Sequence, residues 1–221
     1  MTRFIGDVHG KYDRYKTIMK NCKDSIQIGD MGVGFRRSSS TKGEPSEFYP
    51  NPPYDVMKRG NHRFIRGNHD NPGVCKNHTQ CIPDGTIEGN MMFIGGAWSI
   101  DRAYRTENYD WWADEECSAQ QLSDLVDLAI DEKPEIMITH DCPEGIVRDM
   151  FLGYELHKEV YPTRTGQALE SIRQLVRPKL HIFGHWHIDR VMFIDGTQYV
   201  CLAELSCRDV NLETLEVSEL L

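Results

Sequence analysis

Five short groups in this chain combine oxygen ligands with imidazoles, and each follows an apolar, strand-like run. They are Asp7-Val8-His9, Gly29-Asp30, Gly67-Asn68-His69-Asp70, Thr139-His140 and Gly184-His185-Trp186-His187. Carboxylate, carboxamide and imidazole together suit borderline divalent metals better than an all-oxygen magnesium site would. Such ligands, all at the ends of strands, are what a two-metal hydrolytic centre requires. One group alone would be read as a turn or a satisfied core histidine. Several in order, each at a strand end, form a constellation.

The elements that must position these groups follow from hydrophobic periodicity. A strand over 2–6 enters a tight turn over 6–10. A helix over 11–20 carries Tyr12, Tyr15, Ile18 and Met19 at helical spacing, and a second strand covers 25–28. Strand, helix and strand in succession predict a parallel βαβ unit. Asp7 and Asp30 then lie at the C-terminal ends of neighbouring strands, where open α/β sheets bind their ligands. Residues 36–53 lose periodicity and collect serine, glycine and proline, which predicts a mobile loop on the site side. Within it, Phe48 and Tyr49 are candidates for covering substrate or for local packing.

Further along, 54–60 is ambiguous, 63–66 is a strand and 71–90 is rich in turn formers. Strands are predicted over 91–94, 136–138 and 180–183. Ser118 and Gln121 form a capping box for a helix over 119–132, and another helix covers 165–175. Strands over 190–194 and 198–202, joined at Asp195-Gly196, read as a hairpin, with a last strand within 210–217.

The chain has 221 residues, 39% of them hydrophobic and 27% charged, which predicts a single globular domain over 1–221. There is no apolar run of membrane-spanning length and no signal peptide, so the expected setting is cytoplasmic and away from membranes. The seven cysteines are odd in number and scattered. Cys75 and Cys81, near Asn77 and His78, could hold a metal, but free thiols in a reducing compartment are the better reading. A net charge of −9 argues against a strong non-specific nucleic-acid surface. It leaves nucleotides open, because bound dications would make a cleft locally positive.

Gly6-Asp7-Val8-His9-Gly10, Gly29-Asp30, Gly67-Asn68-His69-Asp70, His140 and Gly184-His185-Trp186-His187 together resemble the signature of the calcineurin-like metallophosphoesterases, in that family's order. The compact form is similar to the small single-domain members common in bacteria and their phages. The resemblance implies a four-layer αββα sandwich, with two mixed sheets flanked by helices. It implies that Asp7, His9, Asp30 and His187 hold one divalent ion, that Asp30, Asn68, His140 and His185 hold another, and that Asp30 bridges. Mn²⁺ is the first expectation, with Fe²⁺, Zn²⁺ or Ni²⁺ as alternatives. His185 and His187, two apart, would face opposite sides of an extended segment, so a turn after Gly184 must re-aim them. A metal-generated hydroxide would attack phosphorus while His69 protonates the leaving alkoxide. Asp70 would orient His69 and raise its basicity. Cys142 needs no nucleophilic role. His62, His78, His157 and His181 match no motif position and are read as surface or packing residues.

Protein Ser/Thr phosphatases of this superfamily continue the Gly-Asp motif with an arginine that grips phosphate, whereas here Met31 follows Asp30. The contact then falls to Asn68, His69 and a substitute arginine. Arg102 and Arg105 are the first candidates, followed by Arg164 and Arg36-Arg37. Surface ion pairs are the bland alternative for each. Trp98, Trp111 and Trp112 could stack on a nucleobase or simply pack. The expected activity is metal-dependent hydrolysis of a small phosphorylated molecule, leaning to a phosphodiester or nucleotide-type substrate. A protein Ser/Thr phosphatase or a broad phosphomonoesterase is the rival reading. A non-catalytic scaffold is a third, which the complete ligand set and His69 count against.

Overall fold

The computed structural model describes residues 1–37, 47–154 and 162–220. Residues 38–46 of the loop expected over 36–53, and His157, lie outside them. Twelve strands are present in the described residues: β1 (Thr2–Ile5), β2 (Asp24–Ile28), β3 (Arg36–Arg37), β4 (Glu47–Phe48), β5 (Asn61–Ile65), β6 (Ile87–Glu88), β7 (Met91–Ile94), β8 (Ile136–Thr139), β9 (Leu180–Phe183), β10 (Arg190–Ile194), β11 (Thr197–Cys201) and β12 (Cys207–Val210). The helices are α1 (Tyr12–Met19), α2 (Tyr54–Met57), α3 (Pro72–Cys75), α4 (Ala119–Glu132), α5 (Val147–Met150) and α6 (Arg164–Leu175).

Side-chain alternation sorts the strands into two faces each. Phe4, Ile26, Ile28 and Ile65 pack with Met91, Phe93, Ile136, Ile138, Leu180, Ile182 and Val200, forming the core between two sheets. Their neighbours face outward: Ile5 and Phe64 meet Tyr12, Tyr15 and Met19 of α1, and Met92, Ile94 and Met137 meet Leu122, Leu125, Leu169 and Ile172 of α4 and α6. Two sheets back to back, each with a helical cover, are the expected four-layer αββα sandwich.

The first sheet runs β12-β1-β2-β5 and the second β10-β11-β9-β8-β7-β6. β1, β2 and β5 are parallel, with Phe4 opposite Ile26 and Ile28 opposite Ile65. β7, β8, β9 and β11 are parallel too, while β6, β10 and β12 add antiparallel edges. The Asp195-Gly196 hairpin forms with both residues at positive φ, 51° and 87°, as a tight two-residue turn requires.

Several boundaries differ from the sequence expectation. The last strand is β12, earlier than predicted, because it pairs with Thr2–Ile5; Val217 contributes only a bridge to Val210. The turn-rich 71–90 segment holds α3, whose start is capped by the Asn71 carboxamide accepting from Gly73 and Val74 N–H. Residues 36–37 and 47–48 pair as β3 and β4 where a loop was expected. All seven cysteines are free. Among the described residues, no helix is long and apolar enough to cross a membrane.

Candidate metal centre

Parallel strands end together, so the residues after them meet at one edge of both sheets. Asp7 follows β1, Asp30 follows β2, Asn68 and His69 follow β5, His140 follows β8, and His185 and His187 follow β9. Three of these, and His9 two residues after Asp7, turn through the left-handed region, His9 at φ 46°, Asp30 at 58°, His185 at 65° and His187 at 54°. Non-glycine residues there cost on the order of 1–3 kcal/mol each and cluster at functional sites. The left-handed turns at 185 and 187 are the re-aiming that two histidines two apart require. Glycine is obligatory beside Asp30, since a Cβ at Gly29 would overlap the His140 ring and one at Gly67 would overlap the Asp30 carboxylate.

One ligand atom from each of Asp7, His9, Asp30 and His187 lies within 4.8 Å of the others. Asp7 Oδ2 is buried without a hydrogen bond and faces His187 Nε2 at 2.9 Å and His9 Nε2 at 3.8 Å. The two imidazoles point Nε2 at Nε2, 3.1 Å apart. On the other side of Asp30, His140 Nε2 lies 3.2 Å from Asp30 Oδ1 and 3.1 Å from Asn68 Oδ1. The His140 Nδ1–H donates to the Ile28 carbonyl at 2.9 Å, so Nε2 alone faces the two acceptor oxygens. There it holds a proton, or a cation once that proton is displaced. His185 packs edge-on to His140, ring centroids 5.1 Å apart, and its backbone N–H reaches Asp7 Oδ1 at 3.2 Å. Asp30 touches both groups, with Oδ1 toward His140 and Oδ2 toward His9 at 3.8 Å. Asp7, His9, Asp30 and His187 therefore fit a divalent ion, and His140 and Asn68 lie on the other side of the same carboxylate.

The electrostatics agree. Burial opposes charge on His140, yet the Asp30 and Asp7 carboxylates push its pKa up to about 10. Burial likewise opposes ionisation of Asp30, but His140, His69 and His9 hold it well below the usual carboxylate range. This is a pocket of negative potential that draws protons or cations. His69 is pushed the other way, down to about 3, by burial and the nearby Arg105 charge against the opposing Asp30.

His69 lies against the centre. Its N–H donates to Asp30 Oδ1 at 2.7 Å, its ring stacks on Phe35 at 4.7 Å, and the Arg105 guanidinium donates to its Nε2 at 2.8 Å. Arg105 is in turn held by Asp101 at 2.6 Å. Asp70 has a different role from the expected one. Its oxygens accept backbone N–H bonds from Met31 at 3.1 Å, Gly32 at 2.7 Å, Val33 at 2.8 Å and Gly67 at 2.8 Å. It ties the loop after β2 to the loop after β5, and these bonds take the place of the expected contact with the His69 ring.

A cleft of about 630 Å³ opens over the centre, lined by Asp30, Asn68, His69, His185 and His187 and by Trp98, Arg105, Asp141, Tyr154, Trp186 and Ile188. Of the candidate arginines, Arg105 lines it. Arg102 instead lies over the Trp98 ring at 4.7 Å, Arg36 over Tyr109 at 4.4 Å, and Arg164 pairs with Glu116 at 3.5 Å. Among the tryptophans, Trp98 faces the cleft and Trp112 is buried beside Phe35. Trp186, inside the last motif, adds an aromatic wall braced on Phe151 at 4.4 Å and bonded to Asp141 at 3.2 Å. His62 and His181 are buried and bonded to Ser25 and Thr139 at 2.8 and 2.7 Å, and His78 stacks on Tyr54, as packing residues should. Cys142 is buried with its thiol pKa pushed up by that burial, unlike a nucleophile. Ser99 and Glu115, both behind Asn68, escaped the sequence reading. Glu115 follows Asp114 in a run that looks like solvated surface.

A family model described as "Calcineurin-like phosphoesterase" matches residues 2–189. No curated protein matches. One solved crystal structure superposes with a TM-score of 0.60 at 11% identity, covering 100% of this chain and 97% of the other. A putative 5'-nucleotidase from Staphylococcus aureus superposes at 0.53 with 12% identity, covering 100% of this chain and 53% of that one. At these identities the likeness is one of fold.

Asp70→Ala should lower the unfolding free energy by about 3 kcal/mol or more, because it leaves buried N–H groups without an acceptor. Urea denaturation of the metal-free protein measures this. An unchanged midpoint with an altered pH–rate profile would instead put Asp70 behind His69.

Proposed function

The chain belongs to the calcineurin-like phosphoesterase family, a family of metal-dependent phosphoric ester hydrolases, and on that premise we propose that it hydrolyses small phosphodiesters or nucleotide-type phosphoesters at a dinuclear centre. The observation that carries this reading is the convergence of Asp7, His9 and His187 on one side of Asp30 and of Asn68 and His140 on the other. In this reading Asp7, His9, Asp30 and His187 hold one divalent ion, and Asp30, Asn68, His140 and His185 hold the second. Bound there, such ions neutralise phosphate oxygens and make water nucleophilic at neutral pH; manganese is the first choice to test.

The remaining steps belong to the chain's own side chains. Arg105 is preset by Asp101 beside the cleft floor, and its planar fork matches two oxygens of a phosphate. Transfer of Arg105 from His69 Nε2 to substrate frees that nitrogen to hold a proton against the leaving alkoxide. Trp98, Tyr154, Trp186 and Ile188 contribute aromatic and apolar lining to the cleft, which supports a leaving group with an aromatic or base-like face. The missing arginine after Asp30 counts against a phosphoprotein substrate. The seven free thiols, most of them buried, support a reducing, cytoplasmic setting.

Asp30→Asn should remove both metals and lower activity more than about 100-fold, read by elemental analysis of the purified protein and by turnover. His69→Ala should keep both metals and slow turnover by about 10²–10⁴-fold, most for poor leaving groups; loss of metal would make His69 a ligand. With Mn²⁺ supplied, an aryl phosphodiester should turn over faster than its monoester. The reverse order would restore a phosphomonoesterase.

A further inference from the structure

Asn68 can face a cation with its oxygen or with its amino group, and only the oxygen is a ligand. We infer that Glu115, acting through Ser99, fixes which one. This rests on the metal-centre reading above. Glu115, Ser99 and Asn68 are 2%, 2% and 3% exposed, so no solvent competes for their hydrogen bonds. The Glu115 carboxylate takes both donors of Ser99, the backbone N–H at 2.9 Å on Oε1 and the hydroxyl at 2.5 Å on Oε2. A serine hydroxyl has one proton. With that proton committed to Glu115, Ser99 Oγ can only accept, and the donor it accepts from is Asn68 Nδ2 at 2.9 Å. The carboxamide is thereby locked with Oδ1 on the opposite side, toward His140 Nε2 at 3.1 Å.

Glu115 is itself held by the strand that presents Asn68. Arg66, at the end of β5, donates to the carbonyls of Glu115 at 2.6 Å and Asp114 at 3.2 Å, and its Nε bonds Asp84 at 2.8 Å. The ligand and the group that orients it therefore share one rigid anchor. Glu115 and Ser99 are positioning residues: Ser99 sits at the cleft wall bonded to Asn68, and Glu115 reaches the centre only through Ser99 and Asn68.

The polarity of this chain makes the inference testable with an isosteric change. In Glu115→Gln, the carboxamide oxygen can still accept the Ser99 N–H, which places the new NH₂ against Ser99 Oγ. The hydroxyl proton, released from position 115, is then free to donate toward Asn68, which turns the amino group to the cation. Mn²⁺ titrated calorimetrically into the metal-stripped full chain should show two equivalents for the wild type. In Glu115→Gln, one equivalent should weaken by roughly 10–100-fold, the scale seen for groups that orient ligands, and the other should be unchanged. Ser99→Ala, which removes the reversed hydroxyl, should weaken that equivalent less. Ser99→Ala/Glu115→Gln should recover toward Ser99→Ala, a non-additivity that simple loss of packing would not produce. Two unchanged equivalents in Glu115→Gln, or additive losses in the double variant, would overturn the inference. Absence of a second equivalent in the wild type would instead overturn the dinuclear reading beneath it.

Discussion

A carboxylate buried to 2% exposure is the constraint on which this structure turns. Taking Asp30 out of water costs several kcal/mol, and that cost is offset only by groups brought from elsewhere. His69 N–H comes from the end of β5, His140 from the second sheet, and His9 from the turn after β1. The left-handed backbone at Asp30 and the glycines at 29 and 67 follow from the same crowding. Asp7 places a second buried carboxylate beside Asp30, with Oδ2 2.9 Å from His187 Nε2. A divalent ion held by Asp7, His9, Asp30 and His187 would offset the charge of both.

The sandwich exists to make that convergence possible. Asp7, Asp30 and Asn68 belong to the first sheet, His140, His185 and His187 to the second, so the centre spans the seam between them. The bond from His140 Nδ1 to the Ile28 carbonyl crosses that seam. It sets the tautomer of a candidate ligand and ties it to packing, because Ile28 and Ile138 share one apolar core. Stability and ligand geometry are coupled at this point: a shift of one sheet over the other would move three ligands relative to the rest.

Around the centre, charged side chains divide the labour by partner. Asp70 spends its lone pairs on backbone N–H groups and holds two loops in register. Asp101 presets Arg105, and Arg105 keeps His69 Nε2 occupied. Glu115 reaches the centre only through Ser99 and Asn68. Three acids close in space thus have three different roles, each decided by which donors face them rather than by residue type.

The sequence by itself determined the candidate ligand side chains and the parallel strand ends that carry them, while the layered architecture came from the family resemblance of the motifs. The first two features are local: apolar alternation marks the strands, and each motif is a contiguous run directly after one. The capping box at Ser118 and the hairpin at Asp195-Gly196 were legible for the same reason. Only the tertiary structure decided which arginine enters the cleft, that Trp186 walls it, that Asp70 serves the backbone and that Glu115 stands behind Asn68. These depend on where side chains point across contacts of long sequence separation, such as Arg105 to His69 and Glu115 to Ser99. A linear pattern records that an acid or an arginine is present, but a hydrogen bond needs donor and acceptor within about 3 Å and correctly aimed, and only the folded chain supplies that.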